Sequence, residues 1–334
     1  MKDSPLWKYC TAAQCRELLL SMELLDRRIW TDEKYLACLY ALSNHPEEHY
    51  RPVRIAKRDG SVRQLYEPDY LLKQVQKNIL HRVLSQQPVS GYATAYRCGS
   101  GIRANALPHC NKDLIVKVDI EDFFGHITFD MVYRYAFPAI YYPPPVRTLL
   151  THLCCYKEYL PQGAPTSAAI SNLVLKPFDE HMGAWCGERS IAYTRYCDDI
   201  TCSGSFRPGP VIGKLSGFLQ AMGFYLNEQK TRVIRPGRHQ TVTGLTVNRK
   251  VQVPAGYRRK LRKDIYYCRK YGAGSHLQRV GDTDYLPEGQ AGIHRYLQSL
   301  LGKVNYILSV NPEDVYFCRA RDMIRQWIAA GQNI

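Results

Sequence analysis

Residues 191–204 read Ile-Ala-Tyr-Thr-Arg-Tyr-Cys-Asp-Asp-Ile-Thr-Cys-Ser-Gly, and this stretch most constrains the fold. Two arms rich in β-branched and aromatic residues flank a short Cys-Asp-Asp turn, which predicts a β-hairpin. The hairpin would carry Asp198 and Asp199 at its tip. Adjacent carboxylates repel each other unless a cation lies beside them, and oxygen ligands favour Mg²⁺. An exposed acidic turn is the simpler explanation of an Asp-Asp pair taken alone.

A third carboxylate follows a predicted buried strand. Residues 114–118 are mostly apolar and β-branched, and the run ends at Asp119. Carboxylates from two strands can hold two metal ions about 3.5–4 Å apart, an arrangement that stabilises the attacking and leaving oxygens of phosphoryl transfer. Phe124, five residues later, is bulky enough to close a pocket, although an isolated aromatic is more simply a core residue.

The charge balance points to a polyanionic partner. Lys and Arg outnumber Asp and Glu by 45 to 30, which gives a net charge of +15 and favours nucleic acid as the partner. No apolar run approaches the roughly 20 residues that span a bilayer, and the first residues lack the apolar core of a secretion signal. We therefore expect a cytoplasmic protein without a membrane segment, whose 12 cysteines are reduced thiols rather than disulfides or zinc ligands.

Two basic elements are candidates for phosphate binding. Asp59-Gly60 lies between basic, β-prone arms, which predicts a hairpin that presents Lys57 and Arg63 to a triphosphate or a nucleic-acid backbone. Residues 257–270 form a predicted helix in which basic side chains alternate with tyrosines, a pattern suited to phosphate contact and base stacking. A solvated charged surface remains the alternative for both elements.

The remaining pattern is a mixture of helices and strands, which indicates an α+β class. Helices are predicted within 1–50, at about 69–84, at about 210–222, and from about 290 to 327, and strands at 232–235 and 241–248. A Gly-Ala-Pro turn is expected to lead into a helix capped by Thr166 or Ser167. In the Gly-rich stretch 91–113, Asn105 and His109 either anchor RNA or fix their own loop by hydrogen bonds.

Taken together, four segments resemble the motifs of reverse transcriptases, in the order and spacing of that family. Tyr196-Cys197-Asp198-Asp199 resembles the Tyr-x-Asp-Asp motif, although Cys197 replaces the more common Ala. The segment 119–124 resembles the first metal-binding motif, which ends in an aromatic gate. Leu160-Pro161-Gln162-Gly163 resembles the Pro-Gln-Gly motif, with a continuation at 164–167 that departs from the usual Ser-Pro. The segment 227–230 resembles the motif that bears a lysine.

Two further segments resemble those that distinguish retron enzymes within the family, namely Asn105-Ala106-x-x-His109 and Val242-Thr243-Gly244. The resemblance, over about residues 50–320, implies an α+β right-hand polymerase fold of fingers, palm and thumb. It divides the chain into a helical N-terminal extension (1–50), fingers and palm (51–250) and a helical, RNA-binding thumb (251–334).

The same resemblance implies the functional residues. Asp119, Asp198 and Asp199, with the Ile120 carbonyl, would bind two Mg²⁺ ions. Phe124 would exclude nucleotides with a 2′-OH, Gln162 would lie near the nascent base pair, and Lys230 would neutralise or protonate the pyrophosphate. The incoming triphosphate and the RNA would be bound by basic and polar side chains, namely Lys57 and Arg63 for the triphosphate, and Asn105, His109, Arg258, Arg259, Arg262 and Lys263 for RNA.

As a retron enzyme, the chain would copy part of a dedicated structured noncoding RNA with dNTPs. Synthesis would start from the 2′-OH of an internal guanosine and give a branched RNA–DNA hybrid that serves in anti-phage defence with an effector protein encoded nearby. Three alternatives stay open: a group II intron or diversity-generating reverse transcriptase, an RNA-scaffolded antitoxin or sensor, and a two-metal nuclease. The length of the chain and Val242-Thr243-Gly244 count against the first alternative.

Overall fold

The computed structural model describes residues 7–26, 28–56, 60 and 62–330. The chain divides into two compact units. The first is formed by residues up to 101 together with 116–233, and the second by 102–115 together with the residues from 234 onward. The predicted three-part division with boundaries at 50/51 and 250/251 stays a prediction.

The described residues form eight strands, and the mixture of strands and helices agrees with the predicted α+β class. The strands are β1 (Tyr50–Ala56), β2 (Val62–Pro68), β3 (Leu114–Asp119), β4 (Ala192–Tyr196), β5 (Asp199–Gly204), β6 (Arg232–Ile234), β7 (Thr241–Val242) and β8 (Leu245–Thr246). The α-helices are α1 (Ala12–Ser21), α2 (Asp32–Asn44), α3 (Tyr70–Asn78), α4 (Ile102–Ala106), α5 (Phe129–Met131), α6 (Pro144–Cys154), α7 (Ser167–Val174), α8 (Lys176–Gly187), α9 (Pro208–Ala221), α10 (Ala255–Tyr271), α11 (Ala273–Val280), α12 (Gly289–Val310) and α13 (Val315–Ala329).

A four-stranded sheet with strand order β4-β5-β3-β6 carries the predicted carboxylates. Five of the six residues of β3 are buried, as its apolar sequence predicts, and the strand ends at Asp119. β4 and β5 form the predicted antiparallel hairpin, in which Tyr196 lies opposite Asp199. The sheet therefore places the ends of β3 and of the β4–β5 hairpin on neighbouring strands.

The two arms of the second predicted hairpin are paired, whereas most of its predicted turn, including Asp59, lies outside the described residues. β1 pairs with β2 in antiparallel register from Tyr50 opposite Pro68 to Ala56 opposite Val62. Asp69 then caps α3 by accepting a hydrogen bond from the Leu72 amide at 2.8 Å, and the helix continues into a π-helical turn over Ile79–Leu84. The predicted helix at about 69–84 is thus confirmed.

The predicted capping of α7 is wrong, although the helix itself is present. Thr166 precedes α7 with helical backbone angles, φ −82° and ψ −24°, and its side chain forms no capping hydrogen bond. A capping side chain needs an extended backbone to reach the free amides of the first turn. Ser167 Oγ instead donates to the Pro161 carbonyl at 2.6 Å.

The second unit is built on one apolar core. α10 contributes Leu261, Ile265 and Cys268, the apolar face that its sequence predicts, and α12 and α13 contribute most of the rest. The single strand predicted over 241–248 is wrong, because β7 and β8 form a tight hairpin there. Thr243 and Gly244 have φ of +45° and +79°, and two positive φ values are what a type I′ turn requires. None of the described helices is long and apolar enough to cross a membrane.

Candidate active site

A buried arginine, Arg195, supports the β4–β5 turn that contains Cys197 and Asp198. Cys197 has φ +61°, and its carbonyl accepts a hydrogen bond from Arg195 Nη1 at 2.9 Å. The Arg195 guanidinium is fully buried and pairs with Asp179 on α8 at 2.6 Å. It also donates to Asn172 Oδ1 on α7 at 3.2 Å. Two helices thus support the turn from inside the unit.

Backbone hydrogen bonds join the end of β3 to this turn and to residues 225–227. The Ile120 amide donates to the Asp198 carbonyl at 3.1 Å, and the Asn227 amide donates to the Asp119 carbonyl at 2.8 Å. The Glu121 amide donates to the Tyr225 carbonyl at 2.9 Å. The three segments that carry Asp119, Asp198 and Lys230 are therefore connected directly, although they are far apart in sequence.

The carboxylates at this junction repel one another. Burial and the nearby charge of Asp119 raise the pKa of Asp198, and burial with the charges of Asp198 and Asp119 raises the pKa of Asp199 despite the opposing charge of Lys117. Lys230 Nζ lies 2.8 Å from Asp119 Oδ2, and this contact raises the pKa of the lysine. Negative charge is thus concentrated here, with the exposed Lys230 beside Asp119 and Lys117 near Asp199.

A polar cleft of about 840 Å³ opens at the carboxylates. Asp119 and Asp198 line it, whereas Asp199 lies in β5 and is not among the lining residues. Five other predicted site residues also line the cleft, namely Ile120, Phe124, Gln162, Arg63 and Lys230. The structure thus brings together most of the residues that the motifs single out. Lys57, the other predicted triphosphate ligand, lies outside the described residues.

The Pro-Gln-Gly turn forms one wall of the cleft because its backbone is joined to β2. The Gln162 carbonyl accepts a hydrogen bond from the Tyr66 amide at 2.9 Å. Gly163 has φ +123°, and a Cβ atom on it would lie 3.0 Å from the Tyr66 carbonyl oxygen. Glycine is required here on both grounds, since a side chain would strain the backbone and press on β2.

Two of the predicted RNA-binding residues are buried. Asn105 and His109 are 1% and 0% exposed, so neither side chain is accessible to RNA in this structure. Asn105 Nδ2 instead donates to Thr243 Oγ1 at 3.4 Å, which joins the two retron-like segments to each other. Burial lowers the pKa of His109 to about 3. The burial therefore favours the alternative in which Asn105 and His109 fix their own loop by hydrogen bonds.

The predicted RNA-binding residues on α10 differ in accessibility. Arg259, Arg262 and Lys263 are exposed, and the Arg262 guanidinium lies over the Tyr316 ring at 4.9 Å. Arg258 is half-buried, and its Nε donates to the Val253 carbonyl at 3.1 Å. Three of the four side chains are thus available to a ligand, while Arg258 holds the start of its own helix.

Sequence reasoning missed three residues that shape the β4–β5 turn. Arg195 and Asp179 form its buried support, and an arginine within an otherwise apolar hairpin arm is a signal that a buried partner exists. Tyr96 donates its hydroxyl to Cys197 Sγ at 3.5 Å, while its own φ is +56°. No local pattern in the sequence indicates that contact.

Within the described part of the chain, no group of three or more His, Cys, Asp or Glu side chains is arranged to hold a metal ion. The donor chemistry still fits a hard divalent cation, because Asp119, Asp198 and Asp199 supply only oxygen ligands. Burial and mutual repulsion both disfavour the charged carboxylates and raise the pKa of Asp198 and Asp199, and a bound cation would oppose both effects.

The family model and the curated relatives agree with each other. Residues 55–254 match the family model described as reverse transcriptase (RNA-dependent DNA polymerase). The Retron Ec86 reverse transcriptase of Escherichia coli is 29% identical over 270 residues, covering 79% of this chain and 83% of the relative. The Retron Mx65 reverse transcriptase of Myxococcus xanthus is 33% identical, and the chain spans 63% of it. A telomerase structure from Candida albicans, in complex with a telomeric RNA fragment, has a TM-score of 0.46 at 11% identity, covering 84% of this chain and 63% of that one.

Proposed function

This chain belongs to the reverse transcriptase family of RNA-dependent DNA polymerases, and from that premise we propose that it copies part of a cognate noncoding RNA into single-stranded DNA. The predicted retron resemblance, right-hand polymerase fold and enzyme class are confirmed by the family match and the retron relatives. The observation that carries the proposal is the cleft in which Asp119 and Asp198 meet beside Lys230.

We propose that Asp119, Asp198 and Asp199, with the Ile120 carbonyl, hold two Mg²⁺ ions. When bound, the ions supply charge neutralisation for the phosphoryl oxygens of an incoming nucleotide. The chain provides the oxygen ligands on segments whose backbones are hydrogen-bonded to each other, so the ligands are positioned before the substrate arrives. Arg195 supports this arrangement through the Cys197 carbonyl.

The side chains around the carboxylates have separate proposed roles. Lys230 is 61% exposed and carries its positive charge 2.8 Å from Asp119 Oδ2, and it would neutralise or protonate the departing pyrophosphate. Phe124 packs against Phe123 at 5.2 Å between ring centroids and would exclude a 2′-OH by its bulk. Gln162 would contact the nascent base pair. Arg63, with Lys57, would hold the triphosphate.

The retron-specific steps are proposed from the resemblance and the relatives' names. We propose that synthesis starts from the 2′-OH of an internal guanosine and gives a branched RNA–DNA hybrid that serves in anti-phage defence, with an effector protein as partner. The exposed Arg259, Arg262 and Lys263 on α10 would bind the structured RNA in the cytoplasm. The net charge of +15 supports a polyanionic partner.

The proposal is tested by purifying the chain from cells that carry its genomic neighbourhood and sequencing the bound nucleic acid. We expect one RNA joined to a short single-stranded DNA by a bond that a 2′–5′ debranching enzyme cleaves. The double variant Asp198→Asn/Asp199→Asn is expected to retain the RNA without DNA. Intron RNA, or heterogeneous RNA without DNA, would contradict the retron-specific part while leaving the polymerase family intact.

A further inference from the structure

A two-residue turn at the rim of the cleft has a strained backbone. Lys157 and Glu158 have φ of +48° and +66° and connect Tyr156 to Tyr159, whose backbones exchange hydrogen bonds at 2.8 and 3.1 Å. Both central φ values are positive, as a type I′ turn requires, and such turns strongly prefer Asn-Gly. Lys and Glu at these two positions therefore destabilise the turn relative to Asn-Gly.

The turn is held firmly despite its unfavourable residues. The Phe129 amide donates to the Glu158 carbonyl at 2.8 Å, and the Leu160 amide donates to the Ile127 carbonyl at 2.9 Å. On the other side, the Tyr156 ring packs against the Tyr66 ring with centroids 4.6 Å apart. The surrounding contacts thus determine where the Lys157 side chain begins.

Lys157 lines the same cleft as Asp119, Phe124 and Gln162. It is exposed, and its Nζ lies 5.3 Å from the centroid of the Tyr156 ring. Among the described residues it forms no ion pair, whereas Lys230, another cation of the cleft, is neutralised by Asp119. Lys157 therefore presents, among the described residues, a positive charge without an ion-pair partner, on a side chain that begins at a firmly held part of the cleft wall.

We propose that Lys157 is a phosphate-binding residue of the cleft, whose ammonium group contacts a phosphate of the incoming nucleotide or of the RNA backbone. A phosphate is the group that both ligands carry, and lysine binds it as a point charge. Binding also gives a reason for the strained turn, since Asn-Gly would relax the backbone and remove the cation. The inference rests on the proposal that the cleft is the polymerisation site.

The test compares five variants with the unaltered chain in primer extension on a defined RNA template. Lys157→Ala is expected to raise the KM for dNTP, or the Kd for the primer–template measured by fluorescence anisotropy, by about tenfold. A change in KM alone identifies the triphosphate as the ligand, and a change in Kd alone identifies the RNA backbone. Lys157→Arg is expected to restore most of the affected constant.

Glu158→Gly is the matched control, because it relaxes the same turn without removing the cation. It is expected to raise Tm by about 2–4 °C with KM and Kd unchanged. The double variant Lys157→Asn/Glu158→Gly is expected to be the most heat-resistant of the set and to bind as weakly as Lys157→Ala. That combination separates a binding role from a structural one.

Unchanged KM and Kd in both Lys157→Ala and the double variant would overturn the inference. Asp198→Asn, assayed alongside, separates this failure from failure of the proposed site. If Asp198→Asn abolishes extension while Lys157→Ala behaves like the unaltered chain, only the role of Lys157 is refuted. If Asp198→Asn extends primers normally, the cleft itself is not the polymerisation site.

Discussion

Replacing Arg195 by Met removes the buried support of the β4–β5 turn, which carries the proposed metal ligand Asp198. The guanidinium makes a 2.6 Å ion pair with Asp179, and both side chains are fully buried. It also donates to the Cys197 carbonyl at 2.9 Å. Met has a similar length and fills part of the space, so the change removes charge and hydrogen bonds with little loss of volume.

The expected loss of stability is about 3–5 kcal/mol, because the substitution leaves the Asp179 carboxylate buried without its cation. The Tyr193 hydroxyl still donates to Asp179 at 2.8 Å but supplies no charge. The double variant Arg195→Met/Asp179→Leu removes both charges and is expected to recover at least about 2 kcal/mol of that loss. It does not restore the hydrogen bond to Cys197, so nucleotide incorporation stays at least about tenfold below that of the unaltered chain.

Urea denaturation followed by tryptophan fluorescence gives the stabilities, and single-turnover primer extension gives the incorporation rates. Arg189→Met is the control, since Arg189 forms an exposed ion pair with Glu188 on the same unit. Loss of this exposed ion pair is expected to lower the free energy of unfolding by less than about 1 kcal/mol. If Arg195→Met lowers the free energy of unfolding by no more than Arg189→Met does, Arg195 is not the buried support of the turn. The same follows if the double variant incorporates nucleotides at the normal rate.

Three further outcomes are expected. The pKa of His109, about 3 when buried, lies below its unfolded value, so the unfolded state binds the extra proton and stability falls as pH drops below about 6.5. The loss is about 2 kcal/mol at pH 5, and urea titrations of His109→Gln should show a correspondingly smaller dependence on pH. Phe124→Ala is expected to lower discrimination between dNTP and rNTP roughly 10–100-fold, measured as a ratio of kcat/KM values. Gly244 has φ +79°, so Gly244→Ala is expected to lower the free energy of unfolding by about 1–2 kcal/mol. Gly217 lies in open space on α9, and Gly217→Ala is expected to raise the free energy of unfolding by about 0.5–1 kcal/mol in the same denaturation assay.

Local chemistry was enough to predict the elements that carry the site. The β-branched arms of the 191–204 hairpin, the apolar run that ends at Asp119, and the apolar face of α10 all appear where their sequences place them. Each of these patterns depends on residues only a few positions apart, so the spacing of apolar residues in the sequence predicts the element directly. The order of the motifs then predicted that the separate carboxylates lie close together, and Asp119 and Asp198 do line one cleft.

The features that could not be predicted depend on contacts between distant residues. Asn105 and His109 have the polar chemistry of an RNA contact, and only the tertiary packing of the second unit shows that both are buried. The pairing of Arg195 with Asp179 joins a strand to the preceding helix, which no periodicity reports. The strand predicted over 241–248 failed for a local reason, because a turn can interrupt an apolar, β-branched run without a proline.

The division of the chain into two units affects its synthesis on the ribosome. Residues 102–115 belong to the second unit, and Ala106 and Ile115 lie in its core with side chains from α10 and α12. The 118 residues from 116 to 233 are translated in between, which takes roughly 6–24 s at 5–20 residues per second. During that interval the early segment has no core to join. A fragment that starts at residue 234 would lack part of its own interior, and the second unit can be assembled only after α12 and α13 have been translated.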